Sequence, residues 1–170
     1  MRLVPDFIFR TFDEVSVDFL MENGIKGLIL DIDNTLEPYE NAKPGEHVLR
    51  WFSALSEAGI AFSIVSNNNK ERVECFLEGI DVPAYPNAKK PFKSKLILAM
   101  CDMGTDRTNT MFIGDQILTD VWAARNAKIK AALVPPINDR RDLFTRFKRL
   151  LEKPFIRKYK RMKDKQYDKA

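Results

Sequence analysis

The sequence predicts an α/β fold, a doubly wound and mostly parallel sheet of five strands. Two observations lead there. Short apolar runs recur around 28–30, 60–65, 82–85, 110–113 and 131–134, and helical periodicities fill the intervals between them. Alternation of this kind implies right-handed βαβ crossovers. The chain has no convincing internal repeat and no glycine-rich phosphate fingerprint, so a dinucleotide site lacks its glycines.

Composition sets the outer limits. A chain of 170 residues is long enough for one domain with a full core. Its 45% hydrophobic, 31% charged and 11% aromatic content excludes a disordered protein. No apolar run approaches the ~20 residues that cross a bilayer. Met1 to Asp6 lacks the apolar core and cleavage site of a secretory signal, so a cytoplasmic protein is expected. Cys75 and Cys101 have no CxxC spacing and the chain holds one His; both thiols are expected buried on inner helix faces, which sets thiol and zinc chemistry aside. His47 stands among polar neighbours and reads as a surface residue.

Residues 1–24 open as a Pro-containing arm and continue as a helix through Val15, Val17, Leu20 and Met21, stopping near Asn23-Gly24. Leu28 to Leu30 is too short for a helix and has no polar face, so it reads as a strand buried on both sides. Asp31 and Asp33 emerge at its carboxyl end, where open α/β sheets place their ligands. Residues i and i+2 of an extended segment point the same way, so both carboxylates face one centre. A hard, oxygen-rich pair of this kind suits Mg²⁺. A strand ending in a solvated Asp-x-Asp turn is the purely structural alternative.

The loop from Glu37 to Gly45 is too brief to hold a cap domain. Val48, Trp51, Phe52, Leu55 and Ala58 then form the core face of a helix that stops at Gly59. A strand at Ile60 to Val65 ends in Ser66-Asn67-Asn68-Asn69, residues equally suited to capping the next helix and to holding phosphate. That helix uses Val73, Phe76 and Leu77 and closes at Gly79. After a short strand at Val82 to Tyr85, the residue before Pro91 is held out of the helical region, which puts Lys90 at a bend. Leu96, Ile97, Met100 and Cys101 form the next inner face. The strand at Thr110 to Ile113 ends in Gly114-Asp115-Gln116, with Thr119-Asp120 a turn later, and Ala131 to Val134 closes the set. Polar clusters at successive strand ends thus converge on one rim of the sheet.

With those residues in hand, the chain resembles the haloacid dehalogenase (HAD) superfamily phosphatases over roughly residues 3–136. Asp31-Ile32-Asp33-Asn34-Thr35 matches the first motif, DxDxT, and Ser66 the second. Lys90 matches the third, chosen over Lys89 because it directly precedes proline, and Gly114-Asp115 with Asp120 matches the fourth. The arm Val4-Pro5-Asp6, the phrase Gly24-Ile25-Lys26-Gly27 and Gly114-Asp115-Gln116 resemble the YqeG-type HAD-IIIA phosphatases, relatives of the mitochondrial phosphatidylglycerophosphate phosphatases.

The resemblance implies a Rossmann-like sheet of order 3-2-1-4-5 without a large cap. It implies Asp31 as nucleophile through an aspartyl-phosphate and Asp33 as general acid and base. Mg²⁺ is expected on the Asp31 side chain, the Asp33 main-chain carbonyl and Asp115. Thr35, Ser66, Asn67 and Lys90 are expected to bind substrate, with Lys90 also catalytic and Asp120 supporting Lys90 or the metal shell. Tyr39 and Glu37 are placed near the entrance.

An uncapped site suits a phosphate presented on something large, and phosphatidylglycerophosphate leads on resemblance. A soluble sugar phosphate or nucleotide is the enzymatic alternative. Residues 139–170, set apart from a core at 1–138, hold 13 Lys and Arg against 5 Asp and Glu, a net +8 within a chain of net +4. Leu143, Phe144, Phe147, Leu150 and Leu151 share a helical face ringed by Arg140, Arg141, Arg146, Lys148 and Arg149; beyond Pro154, Phe155, Ile156, Tyr159 and Met162 continue among basic residues. Three readings stand: packing on the sheet with a solvated tail, docking on an anionic membrane at its inner face, or RNA or ribosome binding.

Overall fold

The computed structural model describes residues 3–138 and 151–162. Six strands form one sheet: β1 (Phe7–Ile8), β2 (Gly27–Leu30), β3 (Ala61–Val65), β4 (Ala84–Tyr85), β5 (Thr110–Gly114) and β6 (Lys130–Leu133). The order is β1-β6-β5-β2-β3-β4, and every pair is parallel. The five expected strands stand in the expected order. The sixth, β1, corrects the reading of the amino-terminal arm: a strand of two residues is too short to show a periodicity. The edge forms through the backbone instead, with Asp6 N–H donating to the Ala131 carbonyl (2.8 Å) and Ala131 N–H to the Asp6 carboxylate (2.8 Å). Arg125 pairs with the same carboxylate at 2.9 Å.

Register follows from burial on both faces, because a slip of one residue would exchange the two faces of a strand. Leu28, Leu30, Phe62, Ile64, Met111 and Ile113 join one apolar cluster with residues of α1 (Val17–Glu22), α2 (Glu46–Glu57) and α3 (Lys70–Phe76). Ile29, Val65, Phe112, Ala131 and Leu133 join the other, against α4 (Ser94–Asp102) and α5 (Trp122–Ala127). The central strand β2 is buried at all four positions. In α2, Val48, Trp51, Phe52 and Leu55 are buried, and the Trp51 indole N–H donates to the Val15 carbonyl at 3.0 Å. Burying each such side chain stabilises by about 1.5–3 kcal/mol.

Helix ends follow local chemistry. Ser16 caps α1 by accepting from Phe19 N–H, and Asn69 caps α3 by accepting from Arg72 N–H. Gly59, at φ +70°, ends α2 in a conformation that a side chain would strain. Between β2 and α2 only residues 31–45 intervene, and among the described residues no large cap covers the carboxyl ends of the strands.

Residues 151–162 form a further helix, α6, after β6. Phe155 and Ile156 pack against the α4 and α5 side of the core, and Glu152 is buried. Leu143, Phe144, Phe147 and Leu150, with the basic residues between 140 and 149, lie outside the described residues. Among the described residues no helix is long and apolar enough to cross a membrane.

Several expected inner positions turn outward. Cys75 and Cys101 are exposed free thiols, and Met21 is 63% exposed. Each sits at the edge of its helix's apolar stripe, and these helices are short: α1 has six residues, α3 seven and α4 nine. Leu20, Phe76 and Met100 occupy the neighbouring inward positions.

Candidate active site

Asp31 follows β2, Ser66 follows β3 and Asp115 follows β5, each by one residue, at the carboxyl edge of the sheet. Lys90 reaches them from the segment between β4 and α4. Its Nζ lies 2.8 Å from Asp31 Oδ1 and 2.8 Å from Asp120 Oδ1. All three side chains are buried, and the Phe112 ring lies 5.3 Å from the ammonium. Lys89 is exposed, so the geometry selects Lys90 from the lysine pair.

Position is enforced by the backbone. Asn67 is exposed, but its Oδ1 accepts Lys90 N–H at 2.7 Å and so fixes the lysine segment. Ala88 N–H donates to the Ser66 carbonyl and Asn87 N–H to the Asn68 carbonyl, lacing residues 87–90 to the loop after β3. Ser66 Oγ accepts Asn68 N–H at 3.0 Å. On the other side, Asp120 Oδ2 accepts Gln116 N–H at 3.0 Å. A Cβ on residue 114 would meet Asp120 at 2.5 Å, which is why a glycine precedes Asp115.

Crowding shapes the charges. Burial raises the Asp31 carboxyl to about 7, and the nearby Asp120 charge adds to the rise while Lys90 opposes it. Burial opposes the charge on Lys90, but Asp120 and Asp31 outweigh it and hold the ammonium above its usual range. Asp31, Asp115 and Asp120 offer carboxylate oxygens all within 4.8 Å of one another. Three acids around one lysine leave an excess of negative charge on hard oxygen donors, a set that fits a divalent cation such as Mg²⁺. With both Asp120 oxygens committed to Lys90 and Gln116, Asp31 and Asp115 are the pair best placed to supply side-chain ligands.

Asp33 belongs to a second cluster. Arg72 Nε and Nη2 lie 3.2 and 3.0 Å from its Oδ1, and Asn68 Nδ2 lies 3.1 Å from its Oδ2. Arg72 Nη1 also donates to the Ala42 carbonyl at 2.8 Å, tying α3 to the loop after β2. Sequence reasoning passed over Arg72. The available signal is its place in the first turn of a helix that starts at the carboxyl edge of the sheet.

Thr35 is buried, and its Oγ1 has no hydrogen-bond partner among the described residues. It borders a cavity of about 370 Å³ that is walled by Phe12, His47, Pro135, Pro136 and Ile137. Glu37 is buried rather than at the entrance: it accepts from Asn41 Nδ2 and Gly45 N–H, both at 2.7 Å, and so folds the loop leading to α2. Tyr39 is exposed beside it.

Comparison with known proteins points to one family. The family profile described as haloacid dehalogenase-like hydrolase matches residues 9–134. "Probable phosphatase YqeG" of Bacillus subtilis (strain 168) is 32% identical over 158 residues, covering 93% of this chain and 92% of that protein. Two solved structures share the fold at TM-score 0.53. One is the cobalt-bound deoxy-D-mannose-octulosonate 8-phosphate phosphatase of Haemophilus influenzae, 18% identical over 66% of this chain and 70% of that one. The other is the 3-deoxy-D-manno-octulosonate 8-phosphate phosphatase of Moraxella catarrhalis with magnesium, phosphate and its sugar, 16% identical over 68% and 72%.

Proposed function

This chain belongs to the haloacid dehalogenase-like hydrolases, and on that premise we propose that it is a Mg²⁺-dependent phosphomonoesterase whose leading substrate is phosphatidylglycerophosphate. The observation that carries the phosphatase reading is the Asp31–Lys90–Asp120 chain beside Asp115, at an uncovered sheet edge.

Asp31 attacks phosphorus through a carboxylate oxygen, forming an aspartyl-phosphate as the bond to the ester oxygen breaks. Asp33, as general acid, delivers a proton to the departing alkoxide. It then takes a proton from the water that attacks the same phosphorus, which releases inorganic phosphate and restores the Asp31 carboxylate. Arg72 and Asn68 hold Asp33 for both transfers. Lys90 faces the nonbridging oxygens as a fixed positive charge, with Ser66 and the Asn67 backbone beside it. Asp31, Asp115 and the main-chain carbonyl of Asp33 would hold Mg²⁺, which when bound reduces the repulsion between carboxylate and phosphate.

The lipid reading is supported by what α6 turns outward. Its apolar side, through Phe155 and Ile156, faces the core, whereas Lys153, Arg157, Lys158, Lys160 and Arg161 are exposed. A face of five cations suits an anionic bilayer, each contributing about 1 kcal/mol near the surface, and would set the protein peripherally at the membrane's inner face.

The test is Mg²⁺-dependent phosphate release from phosphatidylglycerophosphate in mixed micelles, beside soluble sugar phosphates and nucleotides, with Asp31→Asn as blank. Preference for the lipid, with salt-sensitive binding to phosphatidylglycerol vesicles, is the expected result. Preference for a soluble ester assigns the substrate elsewhere, and copurifying RNA released by salt moves the basic face to a nucleic-acid partner.

A further inference from the structure

We propose that Glu152 is a positioning residue for the metal site, and that α6 is thereby part of the catalytic rim. The segment it comes from is overwhelmingly basic, yet its acid is turned inward. Glu152 is 5% exposed while Lys153, Arg157, Lys158, Lys160 and Arg161 of the same helix face out. A buried carboxylate is costly unless hydrogen-bonded, and Glu152 is: its Oε1 accepts Ile117 N–H at 2.8 Å and Leu118 N–H at 3.4 Å.

Those amides open the π-helical turn Ile117–Val121, which leads into α5. Amides at a helix start have no partner within the helix, and negative charge there is favourable. Phe155 and Ile156, one turn further along α6, dock on the core and deliver the carboxylate to this point.

The loop is therefore held from two sides. Asp120 Oδ2 takes Gln116 N–H from within, and Glu152 takes Ile117 N–H from outside. Asp115 lies immediately before these amides, and Asp120 bonds Lys90, which bonds Asp31. A continuous chain of contacts runs from α6 to the nucleophile. Loss of its outer end leaves the fold intact and loosens Asp115.

The proposal rests on the phosphatase reading for its effect on turnover alone. The test uses the full chain as Glu152→Ala, Glu152→Gln and the control Glu57→Ala, with three readouts: Mg²⁺ binding by calorimetry, amide exchange at Ile117 and Leu118, and kcat against KM on a soluble ester. In Glu152→Ala, Mg²⁺ affinity is expected to fall about 10–100-fold, with faster exchange at the two amides, unchanged exchange across β2, and a lower kcat at constant KM. Glu152→Gln keeps an acceptor oxygen and recovers most of each loss, while Glu57→Ala, at an exposed acid at the end of α2, matches wild type. Where Glu152→Ala unfolds, Glu152→Asp, one methylene shorter, shows the same losses in smaller measure. Wild-type Mg²⁺ affinity in Glu152→Ala, or in Glu152→Asp where Ala unfolds, overturns the proposal. A wild-type protein that binds Mg²⁺ and hydrolyses no ester overturns the phosphatase reading instead, and the binding and exchange arms still decide the role of Glu152.

Discussion

Asp31 and Asp33 stand two residues apart, and each is bound to a cation, yet the two pairs are built differently. Asp31 meets Lys90 inside the protein, where the lysine is also shared with Asp120 and both side chains are nearly sealed from water. Asp33 meets Arg72 nearer the surface, its two oxygens divided between Arg72 and Asn68 on α3 and in the loop before it. A nucleophile needs one fixed direction and a dry surrounding that strengthens its charge interactions. An acid that donates and then recovers a proton needs access to water and partners that yield. The depth of each pair fits the role assigned to its aspartate.

Breaking the inner pair should have the largest effect. Asp31→Asn is expected to remove turnover entirely while leaving a cooperative thermal unfolding transition. Lys90→Met removes the cation from between two buried carboxylates and should cost about 3–5 kcal/mol of stability as well as activity. Chemical denaturation measures the first quantity and phosphate release the second.

The outer pair should respond according to the leaving group. Asp33→Asn is expected to lower kcat on alkyl phosphates by about 10²–10⁴-fold, and much less on an aryl phosphate whose phenolate departs without a proton. Arg72→Ala should repeat that asymmetry at smaller amplitude, because it releases Asp33 without removing it. Equal losses on both ester types would instead mean that Arg72 serves α3 packing or the Ala42 loop.

A further effect concerns stability against pH in metal-free protein. Asp31 has an ordinary value of 3.8 and is raised by burial to about 7, so the folded state binds its proton more tightly than the unfolded state. Stability from this group is therefore lost as pH rises from about 4 to 7. Thermal melts of wild type and Asp31→Asn in chelator should diverge in favour of the variant across that interval and run parallel above it.

The contrast between the pairs also marks what the sequence made legible. Asp31, Ser66 and Asp115 each end an apolar run, and the sheet alone brings such ends together. Lys90 was fixed by its proline. Four strands are legible because each has a run long enough to show its burial; β4, as short as β1, is legible from its place between two helical segments, whereas β1 precedes every helix and is held by Asp6 and Arg125. Arg72 stands 39 residues from Asp33, and Glu152 stands 35 from Ile117. No local pattern joins partners so distant. Glu37 was legible as polar near the motif, but its burial depends on the path by which the loop returns to Gly45. Cys75 and Cys101 turn outward because, in helices of about two turns, few positions define the apolar stripe and its edge residues reach solvent.

The claim on which the rest depends is that Asp31 carries the phosphoryl group. Quenching the protein with borohydride during Mg²⁺-supported turnover converts an acyl phosphate to an alcohol, so mass spectrometry should find homoserine at position 31 and aspartate unchanged at 33, 115 and 120. Steady turnover with residue 31 unmodified, together with activity retained in Asp31→Asn, would contradict it.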